Sequence, residues 1–368
     1  MDRARDLGLP FCGRPGPLNA ITDVSGIFVG MRTLIEDVPR PGRARPVRTG
    51  VTAILPHAQQ AYPVPVYAGF HRFNGNGEMT GTHWIADGGW FCGPILITNT
   101  HAVGRAHHAA VSWMINRYES HFSLGRHVWA MPVIAETYDG ILNDINAQPL
   151  TENDMLAALD AATSGPVLEG SCGGGTGMIT YGFKGGTGTA SRQVHIDGEG
   201  YTVAVLVQAN HGIRDWLTIC GVPVGRELPE ESAQSARNEN GSIIVVIATD
   251  APLAPHQLNR VARRGSIGIG RNGTVGGNNS GDIFLAFSTA NAGPMPIDAP
   301  ARLSLELLND ECLDVIYEGV IQCVEEAVVN AMVAARRMGG TRFDEALVPA
   351  IGHDYLRRRF AGSSRVSP

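Results

Sequence analysis

Short apolar runs rich in β-branched residues recur along the chain, and each is bounded by glycine, proline or asparagine. Runs of this length and composition predict strands, and those without polar alternation predict strands that are buried on both faces. The runs cover residues 50–55, 94–98, 128–135, 201–208, 242–248 and 282–287.

Stretches with apolar residues at helical spacing lie between these runs. Thr151, followed by Asp154 three residues later, has the pattern of a capping box at a helix start. The predicted helices cover residues 102–119, 155–162, 255–264 and 310–338. Because strands and helices do not alternate strictly, the order favours helix and sheet layers in a single domain over residues 1–368, and not a doubly wound nucleotide fold.

Composition narrows the functional classes. The chain has 29 Lys and Arg against 35 Asp and Glu, a net charge of −6 and a pI of about 6.1, which argues against a nucleic-acid partner. Apolar runs stay well short of the roughly 20 residues that span a bilayer, and residues 1–13 lack the apolar core of a signal peptide. We therefore expect a cytoplasmic protein with no membrane partner.

Cysteine and glycine usage argue against a metal or nucleotide cofactor. The six cysteines are far apart, without a C-x-x-C pair or a Cys/His cluster at zinc-ligand spacing. Glycine is abundant, at 46 of 368 residues, and is concentrated in residues 170–177 and 184–189. Neither stretch matches a phosphate loop or the dinucleotide fingerprint, so both predict tight turns or close main-chain packing.

One serine stands at the start of a predicted buried strand. Asn279, Ser280 and Gly281 directly precede the apolar run 283–287. Asn-Ser-Gly is common turn chemistry. The same pattern also suits a nucleophile whose preceding peptide bond is broken, because the freed α-amine can then act as base for its own hydroxyl. The residue pattern alone leaves both interpretations open.

Several motifs match those of a known family in the same order along the chain. They occupy residues 7–10, 16–24, 48–54, 77–81, 98–100, 136–140, 207–210, 248–253 and 280–289. In these motifs the sequence resembles the DmpA-type aminopeptidases, also called the L-aminopeptidase/D-esterase or β-peptidyl aminopeptidase family. The resemblance extends from about residue 7 to about residue 340.

The resemblance implies a four-layer αββα sandwich with two central sheets, of the kind that ornithine acetyltransferases share. It implies a precursor that cuts itself before the nucleophilic serine, here between Asn279 and Ser280, into residues 1–279 and 280–368. The substrates implied are short peptides, amides and esters with N-terminal L-, D- or β-amino acids. No metal or other cofactor is implied, and the assembly implied is a homo-oligomer of four protomers.

Site roles also follow from the resemblance, residue by residue. Ser280 takes the place of the nucleophile, and Asn210 that of the asparagine that helps to form the oxyanion hole. Tyr138 matches a site tyrosine. Asn309 and Glu311 fall where the family has a serine and a glutamate that orient the nucleophile. Asparagine can hold a hydrogen bond at position 309 but cannot pass a proton as a hydroxyl does.

An aminopeptidase must also recognise the ammonium group of its substrate, and a buried carboxylate does this through charge-assisted hydrogen bonds. Glu136 is the first candidate and Asp87 the second, since each lies beside or between family motifs. Trp84 is a candidate wall of the substrate side-chain pocket, with core packing or an oligomer contact as the alternatives. His211, next to Asn210, is the one histidine that the pattern places beside a site residue.

These observations predict a self-processing serine aminopeptidase or amidase of the N-terminal-nucleophile type. Two other functions stay open at this point. An acyltransferase of the ornithine acetyltransferase type is disfavoured by Ser280, because those enzymes use a threonine nucleophile. An uncleaved, inactive relative that binds amino-acid-like ligands is kept open by Asn309.

Overall fold

A computed structural model describes residues 2–38, 41, 43, 45–123, 125, 128–228, 241–339 and 347–362. Strands cover β1 Phe28–Glu36, β2 Val47–Leu55, β3 Val66–Arg72, β4 Trp90–Phe91, β5 Ile95–Asn99, β6 Val133–Thr137, β7 Ile179–Thr180, β8 Phe183–Lys184, β9 Gly186–Ile196, β10 Glu199–Asn210, β11 Ser242–Thr249 and β12 Gly281–Ser288. Helices cover α1 Thr82–Gly88, α2 Val103–Arg117, α3 Glu119–Phe122, α4 Glu152–Asp160, α5 Val224–Glu227, α6 Pro255–Arg271, α7 Asp314–Val333 and α8 His353–Phe360. Short 3₁₀ turns cover Ala4–Leu7, Ile21–Asp23, Thr100–Ala102, Ile145–Ala147, Gly173–Gly177, Arg214–Trp216, Pro296–Asp298 and Asp310–Cys312.

Two sheets form the centre of the molecule. One has the strand order β1-β2-β5-β6 and the other the order β4-β3-β12-β11-β10-β9, while β7 and β8 pair separately. Most neighbours are antiparallel, but β5 with β6 and β11 with β12 are parallel. Because β11 and β12 are parallel, the first residues of both strands lie at the same end of the larger sheet.

Side-chain alternation along the strands assigns each residue to a layer. In β11, Ile244 and Val246 join the core between the two sheets, whereas Ile243 and Val245 join the core beneath α6 and α7. A third core lies between the smaller sheet and helices α2 and α4. The order is helix, sheet, sheet, helix, which confirms the predicted αββα sandwich.

Helix α6 extends beyond its predicted end at residue 264. Gly265 does not stop the helix, because its role is close packing: a methyl group there would collide with the ring of Phe284 in β12. The predicted glycine stop therefore marks a close helix–sheet approach. The first residues of strand β9, 186–189, lie in the second glycine stretch, for which the sequence predicted tight turns or close main-chain packing, and β9 forms one edge of the larger sheet.

The helices in the described part of the chain lack the length and apolar character needed to cross a membrane. Within the same residues, no three His, Cys, Asp or Glu side chains are grouped in a way that could hold a metal ion.

Candidate active site

At one end of the larger sheet, three residues on neighbouring strands lie side by side: Asn210, Ser242 and Gly281. We call these three residues the Ser242 row. Asn210, the last residue of β10, pairs directly with Ser242, the first residue of β11, and Ser242 pairs with Gly281, the first residue of β12. Neighbouring strands are about 4.8 Å apart, so Ser242 is in direct reach of Asn210. Alternation places both side chains on the face between the two sheets, the face to which Leu206 and Ile244 also point.

Ser242 is 5% exposed, and no hydrogen bond joins its Oγ to another residue in the described ranges. A serine hydroxyl without a protein partner at the end of a rigid strand is available to attack a bound carbonyl. From the sequence, Ser242 was predicted only to begin the strand 242–248. The signal for it was the Gly241-Ser242 pair directly before the apolar run 243–248.

The side chain of Asn210 is held in one orientation. Its Oδ1 accepts a hydrogen bond from the Ile179 N–H at 2.8 Å, and its Nδ2 donates to the Tyr138 carbonyl oxygen at 2.9 Å. An amide nitrogen carries two hydrogens, so one can still be donated to another acceptor. Since this donor lies beside Ser242, it can stabilise negative charge that develops on a carbonyl attacked there.

Replacing Asn210 by alanine is expected to lower kcat about 100- to 1000-fold, the usual effect of removing one oxyanion donor. The measurement is kcat and KM on an amino-acid p-nitroanilide, with mass spectrometry to determine how much protein has been cleaved. Gln208→Ala is the matched control, because Gln208 is a buried amide on the same strand face but two residues deeper in the sheet. An unchanged kcat for cleaved Asn210→Ala protein would exclude this role.

The peptide bond before Ser242 is closely confined. A methyl group on Gly241 would collide with the Asn210 carbonyl oxygen, so only glycine fits beside β10 at this position. On the other side, the Gly281 N–H donates to the Gly241 carbonyl oxygen at 3.2 Å. Cleavage before Ser242 would require attack on the Gly241 carbonyl, and the oxygen of that carbonyl already accepts a hydrogen bond from a backbone N–H.

Ser280, the predicted nucleophile, faces away from this row. Its Oγ donates to Asp282 Oδ1 at 2.6 Å, and both residues are fully buried. They share the strand face of Phe284, which packs against the helices α6 and α7, opposite to the face of Asn210. Strand alternation therefore separates the Ser280 side chain from the Asn210 amide and places the Ser242 side chain on the same face as that amide.

The turn before β12 is clamped by side-chain amides. Asn76 Nδ2 donates to the Asn279 carbonyl oxygen at 2.8 Å, and Asn74 Nδ2 donates to the Gly277 carbonyl oxygen at 3.0 Å. The Ser280 N–H closes the turn on the same Gly277 oxygen at 2.9 Å. These hydrogen bonds form an ordered turn around the bond between Asn279 and Ser280. A turn was one of the two interpretations of the Asn-Ser-Gly pattern that the sequence left open.

Asn309 and Glu311 lie at the opposite end of the larger sheet. Asn309 caps the turn before α7, where its Oδ1 accepts from the Glu311 N–H at 3.2 Å, and both residues are exposed. The adjacent Leu308 N–H donates to Pro252, just beyond the far end of β11. Eight residues of strand span about 26 Å, so the pair does not reach Ser242 or Ser280. The structure corrects this placement: the hydroxyl and carboxylate two residues apart at the site are Ser280 and Asp282.

Glu136, near the end of β6, is 3% exposed and held by two donors. Its Oε1 accepts from the Glu78 N–H at 2.9 Å, and its Oε2 accepts from Thr100 Oγ1. Burial raises the pKa of Glu136, and both hydrogen bonds oppose that rise. A methyl group on Gly77 would be 3.0 Å from Oε1 and 3.6 Å from the Cα of Gly281, so the carboxylate lies beside the Ser242 row.

Tyr138 lies at the solvent side of the site. Its carbonyl oxygen accepts from Asn210, while its side chain is 44% exposed and folds over Gly140. Tyr138 therefore contacts Asn210 through its main-chain carbonyl, and its phenol ring is partly exposed to solvent.

Trp84 and Asp87 are on α1, which leads away from Glu136. The Trp84 ring packs edge-on against Trp90, with centroids 5.4 Å apart. Trp90 pairs with Tyr67, and Tyr67 pairs with Ser288 at the far end of β12. Within one chain, the structure therefore does not bring Trp84 or Asp87 to the Ser242 row. Trp84 instead packs against another aromatic side chain, Trp90.

Asp139 supports the segment that carries Tyr138. Its Oδ1 accepts from Asn143 Nδ2 at 2.9 Å, and burial raises the pKa of Asp139 to about 7. In the unfolded chain an aspartate has a pKa of about 3.9. Between these values the folded state binds more protons, so this group makes stability fall as pH rises from about 4 to about 7.

Asp139→Asn should flatten that part of the stability profile. The measurement is the free energy of unfolding in urea at several pH values between 4 and 8, compared with the parent protein. The variant should gain stability relative to the parent as pH rises towards 8. An identical slope for the two proteins would contradict a raised pKa at this position.

Known proteins resemble this chain over most of its length. A family model described as peptidase family S58 matches residues 19–345. The β-peptidyl aminopeptidase BapA of Sphingosinicella microcystinivorans is 50% identical over 353 residues, covering 92% of this chain and 87% of its own. BapA of Sphingosinicella xenopeptidilytica is 45% identical over 371 residues, covering 97% and 90%.

Solved structures show the same fold. The L-aminopeptidase D-Ala-esterase/amidase of Ochrobactrum anthropi, described as a prototype serine aminopeptidase with a variant Ntn hydrolase fold, is 64% identical with a TM-score of 0.94. The match covers 98% of this chain and 99% of that one. A β-aminopeptidase from Burkholderia sp. is 43% identical with a TM-score of 0.88, covering 98% and 99%.

Proposed function

The chain belongs to peptidase family S58 and is a serine-type aminopeptidase with the Ntn hydrolase fold, and on that premise we propose that Ser242 is its nucleophile. The observation that supports this most directly is the row formed by Asn210, Ser242 and Gly281. It places a hydroxyl, a side-chain amide donor and a backbone donor at one end of the larger sheet.

We further propose that the precursor cleaves itself between Gly241 and Ser242, into residues 1–241 and 242–368. Ser242 Oγ adds to the Gly241 carbonyl carbon, and the Gly281 N–H stabilises the oxygen of that carbonyl. The carbon–nitrogen bond then breaks, the hydroxyl proton passes to the nitrogen, and an ester forms. Water hydrolyses the ester, which leaves a carboxylate on Gly241 and a free α-amine on Ser242.

The same hydroxyl then serves the peptidase reaction. The free α-amine takes the proton from Ser242 Oγ as it attacks the first carbonyl of the substrate, and Asn210 donates to the developing oxyanion. The amine or alcohol of the substrate leaves with that proton. Water hydrolyses the acyl ester and releases the N-terminal residue.

Ser280 and Asp282 support the nucleophile from the other face of the sheet. The hydroxyl of Ser280 is oriented by its hydrogen bond to Asp282 and lies one residue before Gly281, the partner of Ser242. We propose that Ser280 and Asp282 take the orienting roles that the resemblance assigned to positions 309 and 311.

The substrates that we propose are short peptides, amides and esters with an unblocked N-terminal amino acid. Glu136 supports this choice, because a buried carboxylate near Gly281, the strand partner of Ser242, can bind the substrate ammonium. The names of the relatives support β- and D-residues as well as L-residues. A homo-oligomer of four and a cytoplasmic location are further proposals, and light scattering of the purified protein measures the first.

The experiment is the mass of the purified protein under denaturing conditions, with N-terminal sequencing of the smaller chain. A smaller chain that begins Ser-Ile-Ile-Val supports cleavage before Ser242. One that begins Ser-Gly-Asp-Ile-Phe would instead establish Ser280 as the processed residue. A single uncleaved chain after long incubation would overturn both and favour the inactive binding protein.

A further inference from the structure

His211 is a buried histidine that the proposed reaction does not use. It is 2% exposed, and neither of its ring nitrogens has a hydrogen-bond partner among the described residues. Leaving a buried polar group without a partner lowers the stability of a fold, so such a group in a native protein calls for an explanation.

The position of His211 relates it to the Gly241–Ser242 bond. The register of Asn210 with Ser242 and of Ser242 with Gly281, continued by one residue, sets His211 level with Gly241 and Ser280. Alternation places the side chains of His211 and Ser280 on the same face, with only a glycine between them. A methyl group on Gly241 would be 2.9 Å from the Cα of His211.

The ring of His211 is held in place by Tyr181. The two ring centroids are 5.1 Å apart, and the Tyr181 N–H donates to the His211 carbonyl oxygen at 2.8 Å. Tyr181 is itself fixed, because its hydroxyl accepts from the Thr274 N–H at 3.2 Å. The imidazole is thus a rigid polar group beside the bond that is cut.

We propose that His211 is a positioning residue for the α-amine that cleavage before Ser242 releases, an inference that rests on the proposed function. Once the Gly241–Ser242 bond is broken, the amine occupies the level between His211 and Ser280. One imidazole nitrogen accepts a hydrogen bond from the amine, and Ser280 Oγ, already donating to Asp282, accepts a second.

This arrangement requires a neutral imidazole, because a protonated ring has no acceptor nitrogen. Burial lowers the pKa of His211 to about 3, so the ring stays neutral near pH 7. With two of its hydrogens directed to fixed acceptors, the neutral amine can aim its lone pair at Ser242 Oγ. His211 thereby orients the base without itself taking the substrate proton.

The test is His211→Phe, which removes the ring nitrogens and keeps the ring. His57→Phe is the matched control, since His57 Nε2 is also buried without a partner in the described ranges. His57 follows β2 at the end of the smaller sheet away from Glu136. Each variant is measured for cleavage by mass, for melting temperature, and for kcat and KM on an amino-acid p-nitroanilide.

Both phenylalanine variants should melt at or above the temperature of the parent, because an unpaired polar group becomes apolar. Cleaved His211→Phe should lose about 10- to 100-fold in kcat with KM unchanged, the loss expected for a hydrogen bond to an ionisable group. His57→Phe should keep its kcat. His211→Gln, which retains an acceptor, should recover part of the kcat.

Three results would overturn the proposal. The first is full kcat in His211→Phe, which would make the ring a packing group. The second is a lower melting temperature than the parent, which would show that the nitrogens have partners. The third is an uncleaved His211→Phe chain, which would assign His211 to cleavage and not to the amine. A parent protein without the Ser242 terminus would instead refute the proposed function itself.

Discussion

Ser242→Ala is expected to remain a single uncleaved chain and to lose at least about 10⁴-fold in kcat/KM. The variant lacks both the hydroxyl that cuts the precursor and the hydroxyl that attacks the substrate, and removing a nucleophile has effects of this size. The measurements are mass under denaturing conditions and turnover of an amino-acid p-nitroanilide.

Ser280→Ala is the matched control, because it removes a buried hydroxyl from the neighbouring strand. This variant should still yield a chain that begins at Ser242, with slower cleavage and a lower kcat, since the hydrogen bond from Ser280 to Asp282 is lost. If Ser280→Ala stayed uncleaved while Ser242→Ala gave a chain beginning Ser-Gly-Asp, the nucleophile would be Ser280.

Glu136→Gln is expected to lower kcat/KM for an amino-acid amide about 100-fold, mainly through a higher KM. The glutamine can still accept from the Glu78 N–H, but it no longer supplies the negative charge that pairs with the substrate ammonium. Leaving a charge unpaired in a buried site costs about 2–5 kcal/mol, and about 100-fold lies within that range. Cleavage of the precursor should be unaffected.

Glu78→Gln provides the comparison for this prediction. Glu78 lies next to Glu136, but its side chain is exposed, so the loss of its charge should have a small effect in solvent. Equal effects of the two substitutions on KM would mean that the ammonium does not depend on the buried carboxylate. An unchanged KM for cleaved Glu136→Gln would exclude Glu136 as its binding partner.

Part of the candidate site could be predicted from short motifs in the sequence. Asn210 and Glu136 were named from motifs that match the family, and each lies at or near the end of a buried strand. A strand end is a local property, because the apolar run and its polar boundary are adjacent in sequence.

The proposed nucleophile, Ser242, could not be predicted in this way. Two serines, Ser242 and Ser280, each follow a small or polar residue and precede an apolar run, so local pattern does not separate them. What separates them is the strand face on which each side chain lies relative to Asn210. Strand faces depend on register, and a shift of one residue exchanges them.

The sequence by itself determined the family through its short motifs, and the αββα layers followed from that resemblance, while apolar periodicity gave helix and sheet layers in general. It also named Asn210 and Glu136 as candidate site residues. Only the tertiary structure decided that Ser242 is next to Asn210, that Ser280 is paired with Asp282, and that Asn309 and Glu311 are at the far end of the sheet. Each of these relations depends either on pairing between strands that are distant in sequence or on two side chains that lie on the same face of one strand. They are set by strand pairing and side-chain alternation, which no local stretch of the sequence specifies.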